Sequence, residues 1–308
     1  MDKNISKDDI IEYWLSLYPE FKDEKELDYY FTKNLNGNID EMVNKYLSEY
    51  SIKNEKKFFS LDNYYNYHFF SFYKKIIENN IFFLLEIISR SELILDKRIF
   101  TNNIIGQLCE KLYFICERTL VLEMNICKEN GELKGDNAEE KLKYYEKNIL
   151  ENKEYLEYLY KDYPELVKLL EITTSNFLKN ICEIIIFTEN NIDSIKNISN
   201  SKDSLGKLKF IKIGIGDTHC LGKSVAKISF ENDDIIYKPR SLQTDIEFQK
   251  ILKEINNNKV LPNCTLRTVN MFTLKEMGWM EYIEYTDCKN EKEVKEYFKK
   301  IGFVYYIC

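Results

Sequence analysis

Residues 214–242 read GIGDTHCLGKSVAKISFENDDIIYKPRSL. Two short runs with alternating apolar residues, 224–230 and 235–238, flank the polar turn Glu231-Asn232-Asp233-Asp234, which is the pattern of a β-hairpin. Ala226, Ile228 and Phe230 fall on one face of the first run. Upstream, Leu208, Phe210, Ile213 and Ile215 predict another strand, and glycines at 214, 216 and 222 punctuate the loop between. Downstream, 245–257 predicts a helix with Phe248, Ile251, Leu252 and Ile255 inward, 262–283 two more strands, and 294–307 a further helix. Strands thus cluster after residue 200.

The loop looks like two familiar phosphate motifs and matches neither. Gly222-Lys223-Ser224 ends like a Walker A loop, but five residues separate Gly216 from Gly222, and a strand follows rather than the helix N-terminus such a loop needs. Gly214-x-Gly216 is no dinucleotide fingerprint, because His219 stands at the third glycine position. A glycine loop between two antiparallel strands, with a lysine on the third strand, is instead the layout of a kinase amino-terminal lobe. There, backbone N–H groups approach phosphates and the strand lysine contacts their oxygens. Lys238 occupies that place and shares a face with Ile236. An ammonium beside a cleft needs anionic company, and Glu247 or Glu254 on the next helix supplies two candidates; helical spacing does not choose between them. Taken singly, a strand lysine is commonly a solvated edge residue and Asp217-x-His219 a turn; their order and spacing carry the reading.

The remaining chain is helical. Residues 1–60 predict short helices, opened by Ser6 and Asp9 as a capping box before Ile10, Ile11, Trp14 and Leu15. Residues 61–200 repeat apolar positions at three- and four-residue spacing: Phe69, Phe72, Tyr73, Ile76, Ile77; then Leu108, Leu112, Ile115, Leu120, Leu122. Gly131 and Gly135 bracket a break, Asp136 or Asn137 caps the next helix, and Tyr163-Pro164 ends that same helix. The expectation is an α+β fold of three parts: a helical cap over 1–60, a helical region over 61–200, and a small antiparallel sheet with one helix over 201–308. Because the last helix is cut at Cys308, the chain is expected to be truncated.

Composition narrows the function. The 308 residues carry a net charge of −7, against a general nucleic-acid binder. Eight cysteines form no C-x-x-C pair and two histidines offer few imidazole ligands, so no zinc site is expected and the thiols point to a reducing cytoplasm. No signal peptide or membrane span is expected, since the apolar runs 81–88 and 181–187 are too short.

The stretch GDTHCLGKSVAKISFENDDIIYKPRSL resembles the dehydratase domain of class II (LanM-type) lanthipeptide synthetases, with their Gly-Asp-x-His-x-x-Gly-x-Ser/Thr-Val loop and Tyr-Lys-Pro-Arg strand. Residues 118–136 (RTLVLEMNICKENGELKGD), Tyr163-Pro164-x-Leu166 and 278–283 (GWMEYI) are similar to the same family in the same order, so the resemblance spans roughly residues 75–308. It implies a lipid-kinase-like catalytic domain that uses ATP and Mg²⁺ to phosphorylate Ser and Thr in a precursor peptide, held partly through its leader. Phosphate elimination then gives dehydroalanine and dehydrobutyrine. Zinc serves only a separate cyclase domain, absent here. Carried onto this chain, the resemblance makes Lys238 the phosphate-contacting lysine and Asp217 and His219 the acid and imidazole of the loop. It also implies Gly216, Gly222 and Ser224 as phosphate-binding, with Arg240 as structural or phosphate-side support. No Asp-x-His-x-x-Asn segment or metal-binding acids occur in the 308 residues, so the chain alone is expected to be inactive. Two other classes remain open: another kinase-like phosphotransferase, or a non-catalytic module that holds a leader peptide or nucleotide.

Overall fold

The computed structural model describes residues 11, 15, 22–26, 59–199, 204–216, 222–261 and 264–307. The capping box at Ser6 lies outside them, as do Asp217 and His219. The chain forms two compact units. One comprises 1–191 with 207–212 and 218–223; the other comprises 192–206, 213–217 and 224–308. The fold is α+β, mostly helical, with one five-stranded sheet.

The first unit is helical: α1 Phe70–Asn80, α2 Phe82–Arg90, α3 Lys97–Glu129, α4 Ala138–Tyr144, α5 Lys153–Asp162 and α6 Pro164–Asn190. On α3, buried Phe100, Ile104, Leu108, Leu112, Cys116 and Leu120 recur every fourth residue, forming a continuous stripe that winds slowly round the long helix. Helix starts follow the expected chemistry. Asp96 accepts the Ile99 N–H, and Asn152 accepts those of Glu154 and Tyr155. Of the two candidate caps at the next helix, Asn137 does the work: it accepts the Glu140 N–H at 2.9 Å, while Glu140 takes the Asp136 N–H at 2.8 Å. Tyr163 ends α5 and Pro164 opens α6, where its missing N–H costs nothing. One feature left no mark in the periodicity: a π-helical turn over Tyr145–Leu150 joins α4 to α5. Leu122, expected to be apolar core, is 55% exposed, because the buried stripe passes through Leu120 and Glu123 instead.

Buried Glu123 joins two of the segments that carry the resemblance. It accepts the Tyr163 hydroxyl at 2.5 Å and the Tyr155 hydroxyl at 3.4 Å, so the 118–136 stretch and the Tyr163-Pro164 stretch meet at one carboxylate. Charge-assisted hydrogen bonds of this kind answer the desolvation cost of burying it.

Strand β1, Leu208–Ile213, buries Leu208 and Ile211 rather than alternate residues, leaving Phe210 at the surface. Its backbone is turned by what it bonds. Leu208 donates to the Leu93 carbonyl and accepts from Leu95, while Gln107 of α3 donates to the Ile211 carbonyl at 2.8 Å.

The second unit holds α7 Ile192–Lys196, β2 Ala226–Phe230, β3 Asp234–Lys238, α8 Gln243–Asn257, β4 Met271–Thr273, β5 Gly278–Glu281 and α9 Glu291–Ile307. The sheet order is β1-β2-β3-β5-β4. Gly278-Trp279, expected between two strands, opens the second of them. Ala226 pairs with Tyr237, Tyr237 with Trp279 and Trp279 with Phe272. Residues directly opposite share a face, so these four form one apolar layer; Trp279 is fully buried, with its ring 5.7 Å from those of Tyr237 and Phe272. The other face carries Lys227, Asp234, Ile236, Lys238, Gly278 and Thr273 by the same register. On α8 only Leu252 is buried and Ile251 is 47% exposed, so the helix seats on a narrower stripe than its four apolar residues predict.

Candidate functional site

The glycine segment enters from β1 and leaves into β2. Gly214 has φ +76° and Gly222 φ +75°, left-handed conformations in which glycine carries no Cβ penalty. In the second unit Ser224 closes the base of the loop: its buried Oγ accepts the Gly214 N–H at 2.9 Å, and the Ile215 N–H reaches the Val225 carbonyl at 3.2 Å. Ser224, expected beside phosphate, is thus engaged in holding the turn. Gly216 is exposed, with Val225 its nearest neighbour. In the first unit Gly222 passes over Asn176 of α6, and the Lys223 ammonium sits 2.8 Å from the Glu183 carboxylate.

Three lysines lie in 214–242, and their partners separate them. Lys223 is paired with Glu183. Lys227 is paired with Asp234 at 2.7 Å and lies 4.1 Å over the Tyr282 ring; the Asp234 carboxylate pushes its pKa up. Lys238, half-buried on β3 opposite Gly278, has no hydrogen-bond or ion-pair partner among the described residues.

Asp245, in the first turn of α8, is an acid that feels the Lys238 charge. Arg240 grips Asp245 with two nitrogens, at 2.7 and 3.1 Å, and this fork holds the carboxyl below the usual carboxylate range, with the Lys238 charge contributing. Of the two glutamates named from the sequence, Glu247 is taken up by Lys250 at 2.8 Å and Gln243 at 2.9 Å. Glu254 is exposed two turns further along the helix. Sequence reasoning missed Asp245; its place five residues after Arg240, at a helix start, was the available signal. Lys238, Arg240 and Asp245 together carry one net positive charge, suited to an anion.

On the same face Gly278 makes room for the buried Leu242 side chain. A Cβ there would lie 2.6 Å from Leu242 Cγ, and Leu242 itself is fixed by its N–H to Thr273 Oγ1 at 2.8 Å. Opposite, on the apolar face, buried Glu281 accepts from Arg267 at 3.2 Å and Asn270 at 2.9 Å, which anchors the strand bearing Gly278. Among the described residues no three His, Cys, Asp or Glu side chains come together. No helix among them is long and apolar enough to cross a membrane.

Comparison with known proteins agrees with the motifs. Residues 163–308 match a family described as "Domain of unknown function (DUF4135)". The chain is also similar to the lacticin 481/lactococcin biosynthesis protein LcnDR2 of Lactococcus lactis subsp. lactis, with 28% identity over 198 residues, 61% of this chain and 21% of that protein. It therefore spans about a fifth of the length of the curated relative it matches. The DUF4135 match spans the glycine segment and its flanking strands. Residues 163–308 thus match the DUF4135 family model, and the chain is similar to a lacticin 481/lactococcin biosynthesis protein, in line with the LanM-type resemblance of its motifs.

Proposed function

We propose that these residues form the upper jaw of the phosphate site of a lanthipeptide dehydratase, with the architecture of a kinase amino-terminal lobe. In this reading Lys238 contacts the phosphates of ATP while a Ser or Thr hydroxyl of a precursor peptide takes the terminal phosphoryl group and ADP leaves. In the second step a base removes the α-proton, the Cβ–O bond breaks and inorganic phosphate departs. Lys238 then stabilises charge gathering on the departing phosphate, the interaction that strengthens most at the transition state. Arg240, already gripping Asp245, holds the strand end and adds positive field. Asp217 and His219 serve phosphate positioning or proton transfer at elimination. No step is routed through a metal, and these 308 residues alone are proposed not to dehydrate peptide.

The observation that carries this reading is the partnering of the three lysines: Lys223 and Lys227 face carboxylates, while Lys238 does not among the described residues. An unpaired, half-buried ammonium on a strand is poised for an anionic ligand. The test uses the longest natural reading frame containing these residues, with ATP, magnesium and the precursor peptide encoded beside it. Mass spectrometry of the Lys238→Ala product should show severe loss of dehydration. Accumulated phosphopeptide would place Lys238 in elimination and unmodified peptide in phosphoryl transfer; full dehydration would refute the assignment.

A further inference from the structure

The placement of Glu183 is unexpected for its surroundings. It lies in α6 among Phe177, Leu178, Ile181, Ile184 and Ile185, all buried, and is itself only 3% exposed. A carboxylate in such a place costs several kcal/mol unless a cation answers it. Lys223 answers one oxygen at 2.8 Å; the other oxygen, Oε1, has no hydrogen-bond partner. One turn earlier on the same face, the buried Asn180 Oδ1 is also unpartnered. Both orphan atoms are acceptors, so the helix presents a local demand for positive charge. Another turn back, Asn176 is the neighbour of Gly222. Positions 176, 180 and 183 form one stripe of the helix, and the arm Gly222–Lys223 runs along it.

We propose that Glu183 is a positioning residue for the glycine segment, its buried carboxylate tethering Lys223 and thereby fixing the Gly222–Ser224 arm. The proposal rests on reading that segment as a phosphate-binding loop. Lys223, which a Walker-type reading would assign to phosphate, is a tether and not a ligand. Ser224, next in the chain, bonds the Gly214 N–H instead.

The test compares Lys223→Arg, Lys223→Met and the double variant Lys223→Met/Glu183→Met in the longest natural reading frame. Three readouts are used: thermal midpoint, hydrogen exchange of the peptide spanning 214–225, and ATP KM against kcat. Lys223→Met strands the buried carboxylate and lowers the midpoint. The double variant removes both charges and restores the midpoint, yet exchange in 214–225 stays about tenfold faster than wild type, roughly 1.4 kcal/mol of lost protection. ATP KM rises about tenfold with kcat little changed, as expected when positioning is lost. Lys223→Arg keeps wild-type values throughout. Should Lys223→Met fail to fold, the double variant alone decides. Wild-type exchange in the restored double variant overturns the proposal, since the pair would then serve stability alone. Faster exchange with unchanged ATP KM upholds the tether and refutes the phosphate-loop reading instead.

Discussion

Replacing Gly278 by alanine tests the packing that shapes the lysine-bearing face. Gly278 lies opposite Lys238 in one neighbouring strand and Thr273 in the other. An added Cβ would stand 2.6 Å from Leu242 Cγ, 2.7 Å from Leu242 Cδ1 and 3.0 Å from the Phe272 carbonyl oxygen. Comfortable carbon–carbon contact begins at about 3.5 Å, so Leu242 must retreat by nearly an ångström. It has little room to do so: the residue is fully buried, its N–H is bonded to Thr273 Oγ1, and α8 starts at the next residue. The carbonyl belongs to β4 and moves only with the sheet. Overpacking of this kind costs about 1–3 kcal/mol, which lowers the urea midpoint at unchanged m-value. Leu242→Ala alone costs about 2–5 kcal/mol by opening a cavity. In the double variant the new methyl enters that cavity, so the two costs fall short of their sum by about 0.5–3 kcal/mol. A wild-type midpoint for Gly278→Ala, or strict additivity in the double variant, would refute the geometry of this face.

Other consequences follow from the buried groups. Burial pushes the Cys109 and Cys116 thiols up to about 12. Alkylation of the folded chain near pH 8 should therefore mark Cys288 and Cys264 and spare Cys109, Cys116, Cys127 and Cys182 until urea is added, as peptide mapping would show. Tyr163→Phe leaves the Glu123 carboxylate with a weaker set of donors and should cost about 1–3 kcal/mol in chemical denaturation. The hydrogen bond to Glu123 raises the Tyr163 hydroxyl to about 12. A raised folded pKa means that the stabilisation is complete below the ordinary tyrosine value of about 10 and fades as pH rises toward 12; Tyr163→Phe should flatten that alkaline limb. Asp245 moves the other way: Arg240 holds its carboxyl down, so its contribution is present above the ordinary aspartate range and is lost as pH falls through the depressed value. Carboxyl NMR should find its midpoint low, and Arg240→Gln should bring it up.

Much of the architecture was legible because periodicity and turn chemistry act locally. The β2–β3 hairpin, the break at Gly131–Gly135 and the Tyr163-Pro164 junction each follow from a few adjacent residues. What escaped depends on partners far along the chain. Nothing near Lys223 says that Glu183, forty positions earlier, neutralises it. Nothing near Glu123 announces the Tyr163 hydroxyl. Phe210 and Ile251 fit apolar patterns, but hydrogen bonds from Gln107 and the Leu93–Leu95 segment turned β1, and α8 buries only the row through Leu252. The candidate lysine was readable from its strand, whereas its acidic neighbour was not, because Glu247 and Glu254 looked equivalent until Lys250 and Gln243 were seen to occupy Glu247.

The central claim is that Lys238, alone of the three lysines in 214–242, is a phosphate ligand. It is tested most directly by ATP titration of the longest natural reading frame, comparing Lys238→Met with Lys227→Met. A lost charge-assisted hydrogen bond is worth about 1.5–3 kcal/mol, so Lys238→Met should weaken ATP binding by tenfold or more on the order of that energy, while leaving adenosine binding unchanged. Lys227→Met, whose ammonium already answers Asp234, should bind ATP as the wild type does. Equal ATP affinity for wild type and Lys238→Met, or a loss confined to Lys227→Met, would contradict the account.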